Sequence, residues 1–415
     1  MFELVLKTFL ELITKVADAL FLDVYLGAGV LYWIKAVTIV VGLCGALFYA
    51  YYWGKKAIRE KIHQVLVDPE AFWSKGTSRN AHKKYADRLK NTIPIIAVAN
   101  YKGGVGKSMI AANLAAYFDK SGYRVLLIDF DYQGSLTDIV PYADPNQLTF
   151  SAHEILRGEK PPAEITKPHS LGRSFQTSAI HPAEANLSRI DSSLVYQWLT
   201  GARKDDIRFN TQAYLASDEI QNTYDIIIID TPPRICAATA NALCAATHVL
   251  MPTILDTVSS RAVFRSVEMF LDFRDKLGLG FKMLGVLPSK VAQRSGYNDR
   301  ESKALSYLQD ELHWNYKSRV NHFYGNVEPV VVLDHLPIMH KVALLHIEGD
   351  DLAIFEPNPS PNNAVIHEMF SHLGDHILRS VGMPVETEPE ILSDAGFRTT
   401  QTVVELRQNT ERSTG

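Results

Sequence analysis

The chain has 415 residues, of which 47% are apolar and 21% are charged, a composition typical of a globular protein with one large α/β domain or two domains. Residues 1–93 contain 13 basic and eight acidic side chains, so the remaining chain is acidic, which argues against a broad nucleic-acid-binding surface. The three cysteines show no C-x-x-C spacing, which excludes a disulfide framework and fits a reducing compartment.

The first predicted element is an amphipathic helix in residues 2–21, within a membrane-associated segment at residues 1–30. Charged residues recur every three or four positions along an otherwise apolar sequence. Such a helix can lie in the membrane interface, pack against copies of itself, or form the first arm of a membrane hairpin. The charged positions are Glu3, Lys7, Glu11, Lys15 and Asp18.

The second predicted element is a transmembrane helix within residues 31–53. Residues 36–53 contain no charged side chain, and a helix of this length covers about 27 Å, close to the hydrocarbon thickness of a bilayer. Aromatic residues flank both ends, and basic residues follow between positions 55 and 61. The positive-inside rule then predicts a bacterial inner-membrane protein whose larger part faces the cytoplasm. A buried core helix and a signal peptide are the alternatives.

The rest of the chain divides into three predicted parts. Residues 54–92 are interpreted as a basic juxtamembrane linker that contacts lipid head groups or is simply solvated. From residue 93 to 382, short apolar runs alternate with helical patterns, as in a mostly parallel, doubly wound α/β sheet. Residues 383–415 are rich in Thr, Glu and Arg and are predicted to be a mobile tail.

A glycine-rich loop, "NYKGGVGKSM" at residues 100–109, follows the apolar run "IPIIAVA" and precedes a helical pattern. Glycines in this position let backbone N–H groups surround phosphate oxygens at a helix N-terminus. We expect Lys107 to contact the terminal phosphates and the Ser108 hydroxyl to bind Mg²⁺. The pattern therefore predicts a P-loop site for a nucleoside triphosphate.

Carboxylates end two other predicted strands. Asp131 follows "YRVLLIDF", and Asp230 ends "YDIIIID". Because the carboxyl ends of parallel strands meet at one edge of a sheet, both side chains should lie near the loop, where Mg²⁺ and an attacking water are held. The predicted metal-binding set is Ser108, Asp131 and Asp230.

The segments "KGGVGKS", "LLIDFDYQGSLT" and "YDIIIIDTPP" resemble the three signature segments of the ParA/MinD family, the deviant Walker A ATPases. The resemblance extends from about residue 94 to 381. It implies ATP and Mg²⁺ as cofactors and an ATP-dependent homodimer in which Lys102 reaches the partner's phosphates. It also implies that Asp131 positions water, Asp129 sets the switch geometry, and Asp230 holds the Mg²⁺ shell. The implied catalytic set is Lys102, Lys107 and Asp131, and the nucleotide-binding set is Lys102, Gly103, Gly104, Val105, Gly106, Lys107, Ser108 and Met109.

The sequence also departs from this family. Met109 stands where a hydroxyl residue is common, so one phosphate contact is expected to be missing. Residues 141–222 are long and suggest an insertion or a partner surface. Tyrosine kinases and nitrogenase-reductase-like proteins fit less well, because the chain lacks their clustered tyrosines and cluster-binding cysteines. His372 and His376 have metal-ligand spacing, but a structural role is favoured.

Our interpretation is a membrane-anchored ATPase switch that hydrolyses ATP slowly and recruits, positions or regulates a protein partner. In the alternative, nucleotide mainly drives assembly and the N-terminal helices carry the activity of a membrane effector. Partition on DNA is a third hypothesis, which the acidic domain and the anchor disfavour.

Overall fold

The computed structural model divides the chain into two units, Met1–Val67 and Asp68–Gly415. The predicted helix at residues 2–21, apart from residues 11 and 15, and nearly all of the predicted tail lie outside the described residues. The structure describes residues 11, 15, 28–68, 72–74, 92–172, 175–184, 187–203, 205–292, 296–313, 330–339 and 361–385.

The N-terminal unit contains one long helix, α1, at Ala28–Val67. This helix continues through residues 54–67, where the sequence analysis placed a linker, because that stretch holds good helix formers and no proline. Within the described part of the chain, every helix falls short of the combined length and apolarity that crossing a membrane requires. The predicted transmembrane anchor is therefore not supported.

The second unit is built on a mostly parallel sheet, as predicted. The described strands follow the order β3-β4-β2-β5-β1-β6-β7-β8, and only β3 runs antiparallel to its neighbour. The central strands are buried on both faces, which explains their continuous apolar sequences. The strands are β1 Ile95–Val98, β2 Val125–Asp129, β3 His169–Ser170, β4 Ala179–His181, β5 Ile226–Asp230, β6 His248–Ile254, β7 Lys282–Val291 and β8 Ile338–Met339.

Helices connect these strands and cover the sheet. The Lys107–Lys120 helix directly follows the glycine-rich loop, and most of its residues are buried. The described helices of this unit are α2 Lys107–Lys120, α3 Ser135–Ile139, α4 Ala152–Arg157, α5 Leu187–Thr200, α6 Asn210–Leu215, α7 Asp218–Thr223, α8 Ala237–Ala245, α9 Thr257–Leu277, α10 Asp299–Asp310 and α11 Pro361–Val381.

Helices α2 and α11 pack closely at a glycine. A side chain on Gly374 would overlap the ring of Tyr117, so the absence of a Cβ lets α11 approach α2. The Tyr117 hydroxyl donates a hydrogen bond to Asp375. The C-terminal helix therefore supports the helix that follows the glycine-rich loop.

A short segment before the first strand is held against the body of the second unit. Phe72 and Trp73 are buried, and the ring of Trp73 stacks on Trp198 with centroids 6.1 Å apart. Arg208, which is fully buried, donates to the backbone oxygen of Trp73 over 2.7 Å and pairs with Asp206 at 2.6 Å. Its guanidinium lies 5.0 Å from the Trp198 ring centroid. We call this arrangement the Trp73 clamp.

Candidate nucleotide-binding site

The glycine-rich loop joins β1 to α2 and adopts a conformation that requires glycine. Gly104 and Gly106 have φ angles of 73° and 86°, which residues with a side chain rarely adopt. Gly106 is also the N-cap of α2 and offers no side-chain acceptor. The first N–H groups of α2 therefore lack a capping side chain and suit an anion.

The far side of the loop is fixed to the sheet. Ser289, near the end of β7, places its hydroxyl 2.8 Å from the backbone oxygen of Val105 and 3.0 Å from that of Thr253. Both acceptors and the serine are buried. This contact ties the loop to strands β6 and β7.

Asp230 is a buried carboxylate without a hydrogen-bond partner. It ends β5 and is fully buried, and neither of its oxygens has a hydrogen bond of normal geometry to a described residue, although the Ser108 hydroxyl lies close enough to lower its pKa. Burial raises the pKa of Asp230 well above its ordinary value, and the charge of Asp129 adds to the rise. The nearby Ser108 hydroxyl and Lys107 ammonium act in the opposite direction. An orphaned carboxylate of this kind points to an absent cation.

Lys107 is a buried cation that interacts electrostatically with Asp230 and Asp131. Only 5% of its surface is exposed, and its Nζ lies 3.5 Å from the backbone oxygen of Lys102. Burial lowers the pKa of Lys107, whereas Asp230 and Asp131 raise it. The ammonium is thus already in place for the phosphates that the loop can accept.

Asp129 holds the segment after β2 in shape. Its carboxylate accepts hydrogen bonds from the backbone of Asp131 (2.9 Å) and from the backbone and hydroxyl of Thr137 (2.9 and 2.7 Å). Burial raises the pKa of Asp129 to about 7, against the effect of these hydrogen bonds. Sequence reasoning missed Thr137, because it lies eight residues beyond Asp129 and meets it only through the turn that follows β2.

The loop and the segment after β2 line a cavity of about 300 Å³. Asp131 is in its wall and is 7% exposed. Of the predicted nucleotide-site residues, the cavity brings together Gly103, Gly104, Gly106, Lys107, Ser108, Met109 and Asp131, and it adds Gln133, Ser135, Ile139, Pro233, Lys290 and Met339. Gln133, Ser135, Ile139 and Pro233 follow β2 and β5, whereas Lys290 and Met339 lie within β7 and β8 and are brought to the loop only by the folded sheet.

Lys102 is not part of the cavity wall. Its Nζ lies 3.1 Å from Asp256 and also donates to the hydroxyl of Ser259. Asp256 is the N-cap of α9 and accepts from the Ser259 backbone at 2.8 Å. Partial burial raises the pKa of Asp256, but hydrogen bonds from Ser259 and Lys102 outweigh it and lower the pKa to about 2. In this monomer Lys102 is thus bound within its own chain.

A nucleoside triphosphate with Mg²⁺ fits these residues. Within the described ranges, no cluster of three or more His, Cys, Asp or Glu side chains could hold a metal by itself. Asp230, Asp131 and the Ser108 hydroxyl supply oxygen ligands of the kind that Mg²⁺ prefers, and Mg²⁺ commonly takes phosphate oxygens and water as its remaining ligands. The orphaned oxygens of Asp230 are the observation that supports this fit.

Sequence comparison finds relatives over the same region. A family model described as "AAA domain" matches residues 93–278. A Sinorhizobium fredii protein provisionally named replication protein A is 33% identical over 184 residues, 43% of each chain. An uncharacterised Pseudomonas putida protein is 30% identical over 51% of this chain and 75% of its own length. The chromosome partitioning protein ParA of Myxococcus xanthus is 32% identical over 48% of this chain and 66% of its own.

The chain matches different shares of its relatives' lengths. The chain spans 43% and 50% of the length of the first two curated relatives, both replication-type proteins. Among solved structures, the ATP complex of a Cyanothece McdA variant has a TM-score of 0.53 and 18% identity, and the match covers 72% of this chain and all of that one. At this identity the similarity shows the fold. Together with the loop and its carboxylates, these comparisons show that the chain contains a P-loop domain similar to that of the ParA-type partitioning proteins.

Proposed function

We propose that the protein is an ATPase switch that dimerises on ATP, hydrolyses it slowly, and uses its nucleotide state to recruit, position or regulate a protein partner. The observation that carries the proposal is the combination of an uncapped, anion-ready loop with the orphaned carboxylate of Asp230. A purely structural loop would not need a buried carboxylate without a partner beside it.

Each group at the site has a separate proposed role. When bound, ATP would supply the γ-phosphoryl group and Mg²⁺ would neutralise part of its charge. The loop N–H groups and Lys107 hold the phosphates, while Ser108 and Asp230 orient the Mg²⁺ shell. Asp131 accepts a hydrogen bond from the attacking water and so aligns it with the γ-phosphorus. Lys102 leaves Asp256 and reaches the partner subunit's nucleotide, which makes dimerisation depend on ATP.

Steady-state ATP hydrolysis tests this assignment. We expect Lys107→Ala and Asp131→Ala each to lower turnover by about 100-fold or more, because each removes a group that acts on the transferring phosphoryl or the water. The matched control is Lys120→Ala, since Lys120 is exposed at the other end of the same helix. Full turnover in either site variant contradicts the mechanism.

For its place in the cell, we propose the cytoplasmic face of the bacterial inner membrane. Support comes from α1, where Val41, Phe48 and Tyr52 are exposed, and from the basic residues at 55–61, which suit anionic head groups. Attachment at the interface needs an apolar face rather than a complete span. Flotation of the full chain with anionic vesicles tests this, and recovery in the protein-only fraction counts against it.

The alternative membrane-effector function keeps the same nucleotide site. In that case ATP binds and drives assembly, turnover is negligible, and the activity resides in the N-terminal helices. Substitution of Glu3, Lys7 or Glu11 would then remove activity without changing nucleotide affinity. Measurable turnover that a partner protein accelerates would favour the switch instead.

Partition on nucleic acid is a further candidate function. The net negative charge of the domain disfavours it, but one observation supports it. Exposed basic side chains flank the contact between α9 and α10, where the Ser260 hydroxyl donates to the Ala304 oxygen over 3.3 Å. None of them forms an ion pair with a described residue. Their charge suits phosphates. The basic residues are Arg261, Arg265, Arg300 and Lys303.

DNA binding by the full chain at two salt concentrations tests this candidate. Phosphate contacts predict a steep loss of affinity between about 50 and 200 mM salt. Reversing the charge of Arg261 and Arg265 should remove binding, whereas reversing exposed Lys120 should not. If the chain does not bind DNA, or if its affinity for DNA does not fall as salt rises, partition on nucleic acid is refuted.

A further inference from the structure

Lys290 has a backbone conformation that lysine seldom adopts. Its φ angle is 56°, and it is the one non-glycine residue with positive φ in the described part of the chain. A side chain in this left-handed region costs about 1–2 kcal/mol relative to the right-handed form. Such conformations persist where the surroundings enforce them, and they concentrate at binding sites. The position therefore calls for a functional explanation.

The surroundings that enforce this conformation form a bulge. In the pairing of β7 with β8, Ser289 lies opposite Ile338 and Val291 lies opposite Met339. Lys290 is thus an extra residue that lacks a counterpart on β8. Bulges of this type bend a strand and redirect a side chain.

The bulge is also fixed relative to the phosphate loop. The neighbouring Ser289 hydroxyl bonds to the Val105 backbone oxygen over 2.8 Å. A movement of the loop would therefore displace Ser289, the residue before Lys290. The geometry couples this strand end to the site that receives the phosphates.

The side chain of Lys290 lines the nucleotide cavity together with Met109 and Met339. It is half-buried, and its ammonium forms no hydrogen bond or ion pair with a residue that the structure describes. Lys102 and Lys107, in contrast, already contact protein oxygens. Lys290 is therefore a cation in the cavity wall whose partner is absent from the described protein.

The order of strands indicates which end of the nucleotide Lys290 faces. Along the sheet edge, the carboxylates at the ends of β2 and β5 lie on one side of β1, and the end of β7 lies on the other. If Asp131 and Asp230 act at the γ-phosphate, as in the proposed function on which this inference rests, the α-phosphate and nucleoside extend toward β7. Met109 offers no hydroxyl at this end of the site.

We propose that Lys290 is a nucleotide-positioning residue that donates a hydrogen bond to the α-phosphate. The bulge and the left-handed backbone place its ammonium where the first turn of α2 has a methionine instead of a hydroxyl. Both ATP and ADP carry an α-phosphate, so Lys290 contributes to the binding of each by the same factor. It acts on affinity and leaves the γ-phosphate chemistry to Asp131 and Lys107.

Nucleotide titration calorimetry on the full chain tests the proposal. Lys290→Gly and Lys290→Met should each weaken ATP and ADP binding by about tenfold, the size of one charge-assisted hydrogen bond in a partly exposed site. Lys282→Met is the matched control, because Lys282 is exposed at the opposite end of β7, and it should bind both nucleotides as the wild type does. Glycine accepts a φ of 56° without strain, so Lys290→Gly should melt no lower than the wild type.

The outcomes separate this inference from the proposed function. Unchanged affinity for ATP and ADP in both variants overturns it, and so does a loss confined to ATP, which would place Lys290 at the γ-phosphate. Suppose that the Lys290 variants keep wild-type affinity, that the wild type binds both nucleotides, and that Lys107→Ala binds neither. The proposed role of Lys290 is then wrong, and the proposed function stands. A wild-type chain that binds neither nucleotide overturns the inference together with the proposed function.

Discussion

Asp230→Asn should stabilise the empty protein while removing its response to nucleotide. Asp230 is fully buried, and its two oxygens have no hydrogen bond of normal geometry to a described residue. An unsatisfied buried polar group costs about 1–3 kcal/mol, and more when it is charged. The Ser108 hydroxyl and the Lys107 ammonium offset part of this cost. We therefore expect Asn to raise the free energy of unfolding by about 1–2 kcal/mol at pH 7.5 without ligand, which moves Tm upward by a few degrees.

The pH dependence has a definite sign. Because burial raises the pKa of Asp230 in the folded protein, the folded state binds this proton more tightly than the unfolded state. The free energy of unfolding therefore falls as pH rises from the ordinary aspartate value through the raised one. Asparagine does not titrate, so the Asp230→Asn variant lacks this pH-dependent loss of stability. The stabilisation by the substitution should therefore be small near pH 4 and grow toward pH 8.

Thermal and urea denaturation across this pH range measure the effect. The control is Asp310→Asn, because Asp310 is exposed at the end of α10 and should change stability by less than about 0.5 kcal/mol. Adding MgATP should stabilise the wild type by mass action and Asp230→Asn much less. A variant that is less stable than the wild type at pH 7.5, or a difference that does not vary with pH, refutes the reasoning.

Other substitutions test separate parts of the structure. Arg208→Met should lower the free energy of unfolding by about 3 kcal/mol in urea denaturation, because Asp206 loses its buried partner; an unchanged midpoint contradicts this. Gly374→Ala should lower it by about 1–3 kcal/mol, since the methyl group would overlap Tyr117, whereas a neutral effect would show that α11 can move. Lys102→Ala should still bind ATP but stay monomeric in sedimentation analysis, and normal ATP-dependent dimers would exclude its proposed role.

Much of the nucleotide site could be predicted because its signals are local. The glycine-rich loop, Lys107 and Ser108 lie within ten residues, and the carboxylates follow short apolar runs that are typical of buried parallel strands. Sheet order then brings Asp129 beside Asp230. These features depend on short patterns and on one topological rule, both of which the sequence contains.

The residues that sequence reasoning missed depend on distant contacts. Lys290 enters the cavity only because β7 bulges against β8. Thr137 meets Asp129 through a turn of the chain. Resemblance singled out Lys102 for a contact with a second subunit, whereas within its own chain it pairs with Asp256, 154 residues away. Side-chain pairing over such separations leaves no periodic trace in a single sequence.

The C-terminal end of helix α1 could not be predicted from hydropathy. Absence of charge in residues 36–53 suggested a helix that ends where charge begins, yet α1 continues to Val67. Helix formation depends on backbone propensity and on pairs such as Lys56 and Glu60, which are four residues apart. Hydropathy therefore locates the apolar stretch but does not determine where the helix stops.

The Trp73 clamp determines where a fragment that carries the nucleotide cavity should begin. A fragment that starts at residue 93, where the family model begins to match, would discard Phe72 and Trp73. The ring of Trp198 and the guanidinium of Arg208 would then face water, and Arg208 would lose its backbone acceptor. Such a fragment invites aggregation through the uncovered aromatic surface. Expression of the ATPase part alone should therefore start at or before Asp68.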